Sequence, residues 1–168
     1  MNTAKRNFIL QQGLPEPEEQ TVENQYSALQ FQPRIVGLVV LFGLIVQSPV
    51  IFLALGVSLW WGSLFSRLNP FDVAYNVTLG RRSDTYKLDQ APAPRRFAGM
   101  MSGSFALVTG ILLFKDWNVA AYAVEAIFAM GVISSVFRKF CLPAFLYHAI
   151  HGNTDFAMRT LPWSQQVV

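Results

Sequence analysis

Residues 35–66 carry no charge, and this run of 32 residues limits the possible folds more than any other feature of the chain. A membrane-crossing helix takes about 20 residues, so the run is too long for one crossing and slightly short for two. Near its middle stand Gln47, Ser48 and Pro49. A serine oxygen accepts from the free N–H groups of a helix start, and proline, with φ already fixed and no N–H to lose, suits the first helical position. These residues predict a tight hairpin of two helices over residues 32–47 and 49–67. Trp60, Trp61 and Arg67 then fall at a membrane interface, where such side chains anchor helices.

A second pair is predicted on the same grounds. No charge lies between Arg96 and Lys115, and only Glu125 lies between Asp116 and Arg138. Helices are expected over residues 97–114 and 117–137, joined by a turn of Lys115, Asp116 and Trp117. Only 14% of the residues are charged, against roughly 25% in soluble domains. The expected fold is therefore all-α: an integral membrane protein with four transmembrane helices as two hairpins. Its expected parts are a polar N-terminal arm over residues 1–31, a transmembrane domain over 32–152 and a tail over 153–168.

Charge placement orients this arrangement. Of 13 Lys and Arg, only Lys115 falls on one side, and the rest lie in the arm, the central loop, the tail or the helix ends facing them. Positive charge accumulates on the cytoplasmic side, so both termini and the central loop are expected there, in a bacterial inner membrane or one continuous with it. Topology accounts for the formal charge of +3 and pI near 9.2, and no aromatic platform for nucleic acid is visible. The start of the chain has only Phe8, Ile9 and Leu10 as an apolar run, below the roughly 7 to 15 residues of a signal core. The first span is expected to act as its own insertion signal.

The arm carries Glu16, Glu18, Glu19 and Glu23 around Pro15 and Pro17. With so little apolar surface it is expected to be mobile alone and to order itself on a partner. The central loop over residues 69–96 holds four arginines in two pairs, with a short interfacial segment expected around residues 71–77. After Arg138 and Lys139, the apolar run over 140–150 is too short to cross a bilayer. It fits a segment lying at the interface, or a continuation of the fourth helix bent at Pro143.

Three groups of residues, Pro70-Phe71, the string from Pro94 to Ala98, and Phe140-Cys141-Leu142 with Tyr147, follow the order seen in a known family. Over residues 30–150 the chain resembles an uncharacterised family of small bacterial four-helix membrane proteins, a domain of unknown function. The resemblance implies the same topology and no activity. That family commonly has a second cysteine three positions after the first, where this chain has Ala144 preceded by Pro143. Dithiol chemistry implied by the family would lack its partner here, and Cys141 is the single cysteine of the chain.

Few residues offer chemistry. Glu125 is the one ionisable residue inside a predicted span, eight residues past the turn at Trp117 and so roughly 12 Å deep. Such a group is usually neutralised, paired or turned into the bundle. It could handle protons, but a Ser or Thr partner on a neighbouring helix, or a charge on a partner protein, is the favoured expectation. Gly99, Gly103, Ala106 and Gly110 step by four, three and four along one helix face, which permits close backbone approach, within the bundle or against another protein.

His148 and His151 share a helical face and could ligate the metal of a heme or a chlorophyll-type pigment, although interfacial histidines are more often merely polar. The Arg81-Arg82 and Arg95-Arg96 pairs could meet anionic lipid headgroups. No catalytic residues, metal-ligand spacing or phosphate loop are visible. The expected role is a noncatalytic accessory subunit of a larger bacterial membrane complex, with an energy-converting (respiratory or photosynthetic) complex as the expected setting. Its expected partners are membrane lipids and other membrane subunits, the arm docking on one of them, and no nucleic acid. A pigment- or heme-binding protein, or a small redox or transport protein working alone, are the rival readings.

Overall fold

The computed structural model describes residues 3–81 and 86–164, which form eight α-helices and no strand. In chain order these are α1 (Thr3–Gln11), α2 (Val22–Val46), α3 (Pro49–Leu64), α4 (Pro70–Thr78), α5 (Ala93–Phe114), α6 (Asn118–Phe137), α7 (Leu142–Ile150) and α8 (Thr154–Arg159). Helices α2, α5 and α6 are long and apolar enough to cross a membrane, whereas α3, equally apolar, has 16 residues, a length of about 24 Å. The outward surfaces of these helices carry large apolar side chains such as Ile45, Val119 and Phe137. A surface of that kind suits lipid contact.

The turns form where the sequence marks them. Pro49 begins α3 after an extended Ser48, and Gln47, Asp116 and Lys139 take left-handed φ values of 52°, 58° and 55° just beyond α2, α5 and α6. The left-handed residue reverses the chain and ends each helix. Lys139 separates α6 from α7, so the apolar run after Arg138 is a helix of its own, with Pro143 in its first turn. The segment expected around residues 71–77 is α4, capped by Asn69, whose side-chain oxygen accepts from the Phe71 N–H at 3.0 Å.

The closest pairing is between α3 and α5, followed by α5 with α6, α5 with α7 and α2 with α6, while α2 and α3 touch little despite their short connection. Glycines make the α3–α5 approach possible. A Cβ on Gly56 would lie 2.9 Å from the Leu107 backbone N, and one on Gly110 3.0 Å from that of Leu53. The face of Gly99, Gly103, Ala106 and Gly110 thus lies against α3 of the same chain, as in the simpler of the two readings. Ala106 is fully buried beside Leu55 and Leu59.

The N-terminal region departs most from expectation. Helix α2 starts at Val22, ten residues before the predicted 32, and runs through Pro33. Helix α1 folds back on it, burying Phe8 and Ile9 against Tyr26, Leu29 and Ala144. Phe8 meets Tyr26 edge to face at 5.6 Å. The arm expected over residues 1–31 to be mobile until a partner orders it is therefore, through α1 and the start of α2, packed on its own bundle by an apolar stripe and by inward amides. Asn7 Nδ2 donates to the Leu161 carbonyl at 2.8 Å, and Gln11 Oε1 accepts from the Cys141 N–H at 2.8 Å.

Candidate functional site

The residues singled out by sequence do not converge. His148 is buried, and its Nε2 bonds to the Gln11 main-chain carbonyl at 3.1 Å, where it must donate. His151 is exposed and stacks on Tyr147 with ring centroids 4.1 Å apart. The two histidines weighed as ligands of a pigment or heme are placed apart in use: one ring ties α7 to α1, and the other faces outward.

Arg95 differs likewise from its expected place at the lipid headgroups. Its guanidinium is buried and paired with Asp72 of α4, while Arg96 Nε donates to the Ser63 carbonyl at 2.8 Å. Arg81 is exposed, and Arg82 lies outside the described residues. Glu125 is buried, and its Oε2 accepts from Gln47 Nε2 at 3.2 Å, so its partner within the chain is the turn residue after α2 and not a Ser or Thr. Its Oε1 has no partner among the described residues.

What does converge is a cavity of about 340 Å³ enclosed by α2, α5, α6 and the start of α7. One end is polar, formed by Gln12, Gln32, Arg95 and Cys141. The other is apolar, formed by Val36, Leu59, Phe105 and Phe128, the last two stacked at 6.2 Å. From Arg95 to Phe105 is ten residues along α5, about 15 Å. Ile127 and Met130 line the cavity and are also exposed, so it opens sideways past α6 to the outside of the bundle.

The polar end is electroneutral. Arg95 is the one charged residue lining the cavity among those described, and Asp72 balances it. Gln32 Oε1 accepts from Arg95 Nη2 at 3.4 Å and from Asn69 Nδ2 at 3.5 Å, so the carbonyl of this lining residue is already engaged. Cys141 is held by Gln12 and by the Ala144 N–H, and burial pushes its thiol above the usual range. A protonated, enclosed thiol is a poor nucleophile. The site has the form of a binding pocket, and sequence reasoning had no signal for it beyond the lone Cys141.

The chain belongs to the family described as Domain of unknown function (DUF4395), whose family model matches residues 25–151. No curated protein and no solved structure matches it.

Proposed function

We propose that this member of the family is a noncatalytic accessory subunit of a larger membrane complex, with an energy-converting complex in a bacterial inner membrane as its setting. It crosses the membrane four times as two hairpins, α2–α3 and α5–α6, with both termini and the central loop cytoplasmic. The observation that carries this reading is how the buried polar groups are used. Asp72 with Arg95, Arg96 with the Ser63 carbonyl, His148 with the Gln11 carbonyl and the Cys141 N–H with Gln11 all fasten one element to another. A catalytic centre needs a nucleophile, a base and an orienting group gathered around one point, whereas these groups are dispersed and committed.

Membrane subunits of this kind meet their neighbours through helix flanks. Helix α6 is the least enclosed of the three long helices, and Val119, Tyr122, Ile133 and Phe137 stand outward along it. With α1 folded inward, the part of the arm able to meet a partner is its exposed turn at Glu16, Glu18 and Glu19. Gentle extraction followed by purification on a C-terminal tag should bring companion membrane subunits with the chain. A stable monomer without companions overturns the accessory role. Cysteine labelling should place Lys87 and Lys115 on opposite sides, and labelling of both from one side overturns the topology.

A further inference from the structure

We propose that the cavity between α2, α5, α6 and α7 binds a neutral single-chain lipid whose head presents carbonyl oxygens, a chemistry shared by long-tailed benzoquinones and monoacylglycerols. The site needs no partner subunit, but it rests on the membrane placement proposed above.

Head and tail positions follow from the two ends of the cavity. At the polar end Gln12, Gln32 and Arg95 carry amide and guanidinium N–H groups, and the Gln32 Oε1 is already taken by Arg95 and Asn69, which favours a head that accepts. An anionic head would find the guanidinium already balanced by Asp72, and a cationic head would find no carboxylate on the wall. At the other end Val36, Leu59, Phe105 and Phe128 offer only apolar contact. A volume of about 340 Å³ is at the small end of the roughly 300–1,000 Å³ of small-molecule pockets, which suits one chain. The side opening at Ile127 and Met130 lets a tail enter from the bilayer and lets a longer one leave.

A second observation, independent of the polar groups, is Gly131 on the wall formed by α6. Glycine inside a helix is unfavourable, and elsewhere in this bundle a close neighbour explains it. At Gly131 a Cβ would meet nothing within 4 Å. No packing demand accounts for this glycine, and what its missing side chain provides is open volume in the cavity.

Native mass spectrometry of the full chain in detergent, with a benzoquinone bearing a ten-carbon tail and with monododecanoylglycerol as probes, tests the site. One equivalent of at least one probe should bind saturably, and the tighter of the two identifies the source of the head. Gly131→Leu should weaken that binding at least about tenfold with helix content unchanged and melting not lowered, and Gln32→Leu should weaken it while leaving dodecane uptake alone. Should Gly131→Leu fail to fold, Ser102→Leu plugs the cavity from α5. Binding of neither probe, equal binding of dodecane, tighter binding of dodecanoic acid or dodecyltrimethylammonium, or unchanged binding in a folded plugged variant would each overturn the assignment.

Discussion

Asp72 and Arg95 form a buried ion pair that joins α4 to the first turn of α5, with side chains 6% and 8% exposed. The pair lies behind the polar end of the cavity, and Gln32 of α2 adds a third helix to it. Removing one partner strands the other charge away from water, which costs about 3–5 kcal/mol, while replacing both with apolar side chains of similar volume is often neutral. Asp72→Ala and Arg95→Ala should each destabilise the protein by that order in detergent unfolding. Asp72→Leu combined with Arg95→Met should recover most of the loss. Additive losses in the double variant would show that the two residues act separately.

The same pair sets a pH dependence. Burial raises the Asp72 carboxyl above its ordinary value more than Arg95 lowers it, and the unpartnered Oδ2 explains why the guanidinium compensates only in part. A carboxyl whose folded pKa exceeds its unfolded pKa binds protons more tightly in the native state. Its contribution to stability is complete below the unfolded value and declines as pH rises through the raised folded value. Melting in detergent from about pH 4 to 8 should therefore carry a downward component that Asp72→Asn removes. An unchanged profile in Asp72→Asn would assign the slope to other groups.

Glycines at two kinds of place should respond with opposite sign. Gly56 and Gly110 face the backbone of the opposite helix across the α3–α5 contact, and backbone cannot yield as a side-chain tip can. Alanine at either should cost about 1–3 kcal/mol through overpacking. Gly131→Ala meets open space and should gain about 0.5–1 kcal/mol from helix propensity alone. Unfolding in a denaturing detergent series reads both, and loss of stability in Gly131→Ala would mean that the space is filled by another part of the protein.

The parts of the fold legible in the sequence are those written in apolarity and turn chemistry. Gln47-Ser48-Pro49 and Lys115-Asp116-Trp117 mark reversals, and the charge-free runs beside them mark helices α3, α5 and α6 and the end of α2 within a few residues. The start of α2 was hidden because Val22, Tyr26 and Leu29 alternate with Glu23, Asn24 and Gln25, so a buried stripe reads as a polar arm. Helix α1 was hidden because Asn7 and Gln11 look solvated until Leu161 and Cys141, remote in sequence, supply their partners. The cavity was illegible for a related reason: it is a space between helices, and the openness at Gly131 appears only once α6 is placed among its neighbours.

Glu125 should prove a packing residue. Its Oε2 accepts one bond from Gln47, and a glutamine at this position keeps a carbonyl in the same place. Glu125→Gln should leave unfolding in detergent within about 1 kcal/mol of the parent, whereas Glu125→Leu should lose the bond to Gln47 and loosen the turn after α2. A folded Glu125→Gln variant that abolishes a transport or proton-release signal of the reconstituted parent would return Glu125 to a functional role.

Cys141 should report on the clasp formed by α1. The thiol is enclosed by Gln12 and the first turn of α7, its backbone N–H is held by Gln11, and burial keeps it protonated. Alkylation needs both access and the thiolate, so maleimide should label the intact chain far more slowly than the same chain unfolded. Phe8→Ala removes a fully buried ring from beside Tyr26 and should cost about 3–5 kcal/mol. That loss falls on the contact between α1 and the bundle, because Phe8 packs in the cluster that contains Tyr26, Leu29 and Cys141 and not in those between the long helices. Labelling of Cys141 should then accelerate at least about tenfold under conditions where α5 and α6 keep their helix content. Equal labelling rates in parent and Phe8→Ala would show that the thiol is reached through the cavity and not past α1.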